Sequence, residues 1–427
     1  MSEVTAASQP SEYNDIFIYP VNGSEESRIS IKTGVVEFQY FEDLHSPCYT
    51  ALMQVVNDGG NIGGVPSLYN NLPIRGGEKV TVHLTTPWEK SSGKTPGVFE
   101  LTFYVNSVRN YLQTKQIESF TLDLVSKEAL LNLRKRITKK YKDKRIDEVV
   151  KVLMEAVEAE EPEIEKTQNT YNFIGNLRKP FTIAPLLAVR GIPEGATSKE
   201  AGYFFWQTRT GMKFKSIKKM IDDGTPFNYA YYLAMDNVND EKSKWTTILT
   251  YTVDNNNVAD NAAAGEYSTY RIYWNPHTFE FTEPDRSLFK PEQESLGTED
   301  IEHAEVIDPE QITKPEFAHR IVSGVYNVGC LNKEVNTDVN MDQLEDVSQA
   351  ISRYKSIFHQ SLSMTVPVNV ELQAGDVIKC YFPRVSAGDQ PADYSQSGLY
   401  IIKELTHFFD PKQSYTAMRI VRDTSGD

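Results

Sequence analysis

The chain has 427 residues, more than one hydrophobic core ordinarily serves, so two to four domains are expected. With 40% hydrophobic and 11% aromatic residues it is too apolar for a disordered chain, yet no run approaches the ~18 apolar residues of a membrane span. A net charge of −15 speaks against a surface that grips phosphate backbones, because that needs clustered Lys and Arg.

Residues Met1 to Ser11 read as a frayed arm with neither the basic nor the apolar region of a secretory signal. Strands are expected at Asp15–Tyr19, Ile29–Ile31 and Val35–Phe41, with a break into a loop at Phe41–Leu44. Ala51–Val56 resumes a strand. The glycine pairs at 59–60 and 63–64 mark turns, with no Lys-Ser/Thr behind them to make a phosphate loop. An Arg75-Gly76-Gly77-Glu78 turn leads into Val80–Leu84, followed by strands at Val98–Val105 and Phe120–Val125.

From Ser126 the period becomes helical. Ser126 is a candidate N-cap for Lys127–Arg136, and Ile146, Val149, Val150, Leu153, Met154 and Val157 follow helical spacing. The basic run Arg134–Lys142 is read as a solvated face balanced by the acids of Glu155–Glu165. Phe181–Val189 is a short helix entered through Pro180 and ended by Gly191. A hairpin is expected over Tyr203–Trp206 and Met212–Phe214, turned at Thr210-Gly211. A helix capped by Ser216 follows, then a strand over Phe227–Met235. Tyr267–Trp274 and Thr278–Thr282 read as a second hairpin, and Glu283–Glu310 as an acidic, proline-punctuated excursion. Leu344, Val347, Ile351, Tyr354 and Phe358 trace a helix face that feeds an alternating strand from Leu362 to Val368. Strands at Val377–Phe382, Gly398–Phe409 and Tyr415–Arg422 close the chain.

The last three strands repeat the layout of the first unit. Aligned on Gly77 and Gly375, Glu78 meets Asp376, and Val80, Val82 and Leu84 meet Ile378, Cys380 and Phe382. Lys115-Gln116 and Lys412-Gln413 precede the final strand of each copy. This reads as one β-barrel module used twice; the alternative is two unrelated meanders with similar turn chemistry.

A catalytic or metal site is not expected. His45, His83, His277, His303, His319, His359 and His407 form no H-E-x-x-H or close pair, and His83 and His407 read as structural. Asp254–Asp260 lacks the central glycine and closing glutamate of a calcium loop, and there is no G-x-S-x-G elbow. Cys48, Cys330 and Cys380 are too scattered for a disulfide framework, which fits folding in a reducing cytoplasm, and Cys380 reads as a core residue.

The segments Leu72–Leu84, Phe120–Met154, Gly202–Met220, Arg353–Pro383 and Ser397–Gly426 together resemble the baseplate hub proteins of contractile-tailed bacteriophages, relatives of the hub part of type VI secretion spike proteins. The resemblance covers about residues 12 to 426, is weakest over 237–341, and does not extend to Glu283–Glu310 or Asp338–Asp346. It implies an α+β fold of two similar antiparallel β-barrel tube domains with a helical insertion and an accessory domain. The corresponding divisions are a first tube barrel at 12–126, the insertion at 127–201, a discontinuous second barrel at 202–236 and 361–426, and an accessory α+β region with the acidic excursion at 237–360.

The implied role is that of a structural virion protein with no catalytic, cofactor or metal residues. A homotrimer would form a pseudo-six-fold ring that joins the central spike trimer to the tail tube or its initiator proteins. Baseplate wedge and tape-measure proteins would be further partners. DNA would pass through without specific binding, no membrane anchor is implied, and the virion baseplate would be assembled in the host cytoplasm. A tail-associated cell-wall hydrolase and a receptor-binding tail protein are the rival readings.

Overall fold

The computed structural model describes residues 9–21, 25–59, 62, 67–89, 96–195, 201–225, 227–231, 245–254, 259–260, 263, 269–276, 279–281, 288–289, 318–325, 346–358, 360–384, 393 and 396–423. The fold is a β-rich α+β fold. The first unit contains β1 (Glu12–Tyr19), β2 (Ile29–Ser30), β3 (Val35–Asp43), β4 (Thr50–Asn57), helix α1 (Leu68–Asn71), β5 (Lys79–Glu89), β6 (Pro96–Gln113) and β7 (Glu118–Val125). Its strands neighbour one another in the order β3-β4-β7-β6-β5-β1-β2. Alternation sends Phe38, Tyr40, Met53, Val80, Val82, Phe99, Phe103 and Leu122 into one core. Phe38 on β3 and Phe99 on β6 lie three strand positions apart, ~14 Å in a flat sheet at the usual strand spacing. Their ring centroids are 5.9 Å apart, so the sheet curls around its core.

The insertion begins with α2 (Lys127–Arg134), where the Ser126 hydroxyl accepts a bond from the Ala129 N–H as its spacing predicts. After β8 (Lys140–Tyr141), α3 (Ile146–Ala156), β9 (Glu163–Ile164), β10 (Phe173–Ile174) and α4 (Pro180–Ala188), the chain forms the hairpin β11 (Tyr203–Thr208) and β12 (Gly211–Ser216). Helix α4 starts on Pro180, where a missing N–H costs nothing. The hairpin was assigned to the second barrel by sequence. Here it instead makes a three-stranded sheet with β9, which runs parallel to β12. Burial of all six β11 residues explains the difference. Tyr203 and Phe205 face the α3–α4 core, whereas Phe204 and Trp206 face the second unit.

Next come α5 (Ile217–Asp222), β13 (Asn228–Ala230) and β14 (Thr250–Asp254). Of the strand expected at Phe227–Met235, residues 232–235 lie outside the described residues. A small sheet follows, in which β15 (Thr269–Asn275) pairs with β16 (Glu280–Phe281), β17 (Leu288–Phe289) and β18 (Arg320–Val325). The first two form the expected hairpin, with Trp274 opposite Phe281. Apart from β17, the acidic excursion lies outside the described residues. Helix α6 (Asp346–Ser356) then precedes β19 (Gln360–Pro367), β20 (Val377–Tyr381), β21 (Gly398–Phe409) and β22 (Ser414–Arg422).

The second unit runs β14-β19-β22-β21-β20-β13. Two features differ from the sequence reading: β14 joins from the accessory region, and β13 runs parallel to β20 rather than antiparallel. The Ala230 N–H donates to Thr246 O (2.9 Å) and the Ile248 N–H to Ala230 O (2.9 Å), which ties β13 to the segment leading into β14. Tyr251 and Phe382 have centroids 4.6 Å apart, so this half curls too.

The two units are one hydrogen-bonded sheet of 13 strands. The joint is β3 against β21, antiparallel from Glu404 opposite Asp43 to Phe409 opposite Phe38. The loop expected at Phe41–Leu44 is therefore strand as far as Asp43, because pairing to β21 supplies its backbone partners.

Candidate functional site: the repeated turn and the joint between the units

The duplication extends to individual hydrogen bonds. In the first unit, Gly77 has φ +93°, its N–H donates to Val105 O (2.7 Å), and the Val105 N–H donates to Glu78 O (2.9 Å). In the second, Gly375 has φ +89°, its N–H donates to Ile402 O (2.8 Å), and the Ile402 N–H donates to Asp376 O (2.9 Å). The acid closes each turn: Glu78 Oε1 accepts from the Arg75 N–H (2.8 Å) and Asp376 Oδ2 from the Gln373 N–H (2.9 Å). A bulge follows the matched residue in both copies, between Val105 and Ser107 and between Ile402 and Glu404. Only glycine adopts such a φ cheaply, and only a side-chain acceptor three residues on satisfies the tight corner, so the Gly-acid pair is the chemical core of the repeat.

The surroundings of the two turns differ. A Cβ on Gly77 would meet nothing within 4 Å, but one on Gly375 would lie 2.6 Å from Trp206 Cζ2. Trp206 lies on the glycine and donates Nε1–H to Ala374 O (2.8 Å). Gln373 Oε1 accepts from Thr208 Oγ1 (2.9 Å), Thr210 Oγ1 (2.8 Å) and Lys213 Nζ (2.9 Å), so the hairpin is clamped onto the second turn. Outward positions follow the same division. Lys79 and Tyr104, paired across β5 and β6, correspond to Val377 and Ile401, paired across β20 and β21. The second pair is buried in a cluster with Trp206, Ile217 and Met220. The first pair lines an open cleft between unit and insertion, shared with Glu128, Gln207 and Arg209.

Glu42 joins three parts of the chain. It is 2% exposed. Its Oε1 accepts from the Tyr40 hydroxyl (2.7 Å) and the Arg209 N–H (2.8 Å), and its Oε2 from the Ala374 N–H (2.8 Å). One carboxylate thus links β3, the hairpin tip and the second Gly turn. Burial drives its pKa up to about 7 against the opposing pull of those hydrogen bonds. Asp376 is likewise raised, to about 6, by burial, with Lys213 pulling the other way. Sequence reading overlooked Glu42, although the alternation Phe38, Tyr40, Glu42 continues the inward phase and contained the signal.

The histidines described are held by the fold. His407 is buried beside Tyr40, within hydrogen-bond distance of Thr416 Oγ1 (3.0 Å), and burial lowers its pKa to about 3. His83 lines the cleft and His45 stands edge-on to Phe204, while His277, His303 and His359 lie outside the described residues. Cys380 is fully buried, and burial raises its thiol pKa. Cys330 lies outside the described residues. Among the described residues, no three His, Cys, Asp or Glu side chains converge as a metal site.

No protein-family model matches the chain, and no curated protein matches it in sequence. Solved structures do share its fold. A tail protein from Neisseria meningitidis MC58 superposes with a TM-score of 0.53 at 10% identity, covering 96% of this chain and 96% of that one. The 43 kDa tail protein of prophage MuSo2 from Shewanella oneidensis gives 0.51 at 9% identity, covering 96% and 100%. The Escherichia coli c3393 protein, a type VI secretion component, aligns more loosely, at 0.43 and 10% identity over 96% and 77%. The chain therefore shares the fold of the two tail proteins. The resemblance read from the sequence is matched at the level of a tail-protein fold.

Proposed function

We propose that this chain is a structural subunit of a phage tail baseplate, a hub that joins the central spike to the tail tube. In this reading the two curled units are tube barrels, and three copies form a threefold ring with six similar wall segments. The observation that carries it is the repeated turn, with its acid, its hydrogen bonds and its bulge, in two units of one continuous sheet. A duplicated module lets a closed threefold assembly meet a sixfold neighbour. A net charge of −15 per copy favours passage of DNA over its binding. The role is architectural, with interfaces rather than a reaction centre as its working surfaces.

Mass measurement in solution tests this directly. The expected species has three times the 48.4 kDa of one chain, alone or with spike protein, and a ring with an open lumen by electron microscopy. Truncation after Ser361 removes most of β19 and all of β20 to β22 and should abolish the ring. An intact trimer from the truncated chain would overturn the reading.

A further inference from the structure

The joint between the units has a counterpart that, among the described residues, pairs with no strand. β21 pairs with β20 up to Ile401, passes the Ile402 corner, and gives its remaining edge to β3. β6 does the same up to a point: it pairs with β5 up to Tyr104 and passes the Val105 corner. Beyond it, among the described residues, β6 pairs with β7 alone. Its other edge, over Ser107–Gln113, is the equivalent of the edge that β21 gives to β3. That edge is exposed, with Leu112 63% and the Arg109 side chain 66% accessible. An open strand edge is a template for another strand.

The second unit contains the complementary half. Tyr40 on β3 pairs with Ala51, which pairs with Leu124. Val253 on β14 pairs with Leu362, which pairs with Ile420. Leu124 and Ile420 are themselves equivalent, being the partners of Val105 and Ile402. β14 is therefore the β3 of the second unit, and among the described residues it too pairs on one side only, with β19.

We propose that β14 of one copy pairs antiparallel with the free edge of β6 in the next, repeating between chains the β3–β21 joint within each chain. The occupant of the edge is thus a second copy of this protein, joined head to tail. This pairing rests on the ring reading above and supplies its contact. The internal joint also sets the register. Thr406 faces Phe41 across it, so Arg109, the counterpart of Thr406, falls opposite position 254 of the next copy. After Arg109 the extra residue at Asn110, with φ +52°, shifts the strand. The register then resumes with Leu112 opposite Thr252, so this joint is interrupted where the internal one is continuous.

The test is a paired-cysteine variant, Arg109→Cys with Asp254→Cys, in the full chain, oxidised or bridged with a short bis-maleimide. Covalent species larger than one chain are expected at least tenfold above either single variant. Linkage no greater than in the single variants overturns the pairing. Native mass separates this from the ring itself: a native trimer with unlinked cysteines sinks the edge pairing and leaves the ring. Linked chains that grow without closing at three sink the threefold ring and keep the pairing. Amide exchange on the unmodified chain gives a second reading free of folding defects. The amides of 107–109 and 250–254 should slow at least tenfold between the dilute chain and the assembly, and unchanged rates there overturn the proposal.

Discussion

The two Gly-acid turns share a hydrogen-bond pattern and differ in what covers them. The Arg75–Glu78 turn is open, whereas the Gln373–Asp376 turn carries an indole, a three-donor clamp and the Glu42 carboxylate. The backbone of the module is therefore self-sufficient, because the bare copy keeps the three bonds that close the turn in the covered one. What distinguishes the copies is the outward face, Lys79 and Tyr104 in one and Val377 and Ile401 in the other. The turn is common to both units, and the apolar outward side of the second lets the hairpin settle on that copy.

Removing the Glu42 carboxylate should break the comparison most severely. Glu42→Ala strands two backbone N–H groups and a hydroxyl in a buried joint and should cost about 4 kcal/mol, measured by chemical denaturation. Matched glycine substitutions separate turn from cover. Gly77→Ala should lose about 1 kcal/mol for its positive φ, while Gly375→Ala adds a clash with Trp206 and should lose about 3 kcal/mol, with altered Trp fluorescence. Equal losses would mean the cover exerts no constraint.

Acidity sharpens the contrast. Glu42 holds its proton more tightly folded, at about 7, than its ordinary 4.5, so the folded state binds more protons between those values and gains stability as pH falls through them. The advantage of the native chain over Glu42→Gln should therefore grow by about 3 kcal/mol between pH 7.5 and 4.5. His407 acts in the opposite sense, since its depressed pKa costs stability as pH falls below its ordinary 6.5, and the variant comparison cancels that contribution. An effect as small as that of Gly77→Ala is expected from Trp206→Phe, about 1 kcal/mol for one lost hydrogen bond to Ala374 O.

Much of this was legible in the residues. The repeat could be read because glycine and the acid beside it are demanded by local backbone geometry, which sequence records directly. The helix expected at 127–136, which ends at 134, and the start at Pro180 were readable for the same reason. The hairpin at 203–216 was found but misplaced, because uniform burial of β11 does not say what buries it. β14 went unnoticed, as Thr250 to Asp254 is short and its place depends on β19, more than a hundred residues away. Glu42 was passed over because a charged residue reads as an exit from a strand until the donors around it are known.

The β3–β21 joint has a consequence for how the chain is made. The strand at residues 35–43 emerges long before its partner at 398–409. Much of the first unit can collapse while translation continues, but its core lacks Phe409 and its seam lacks a mate until β21 follows. A polypeptide that stops before β21 thus keeps an open edge on β3 where the longer one has a mate.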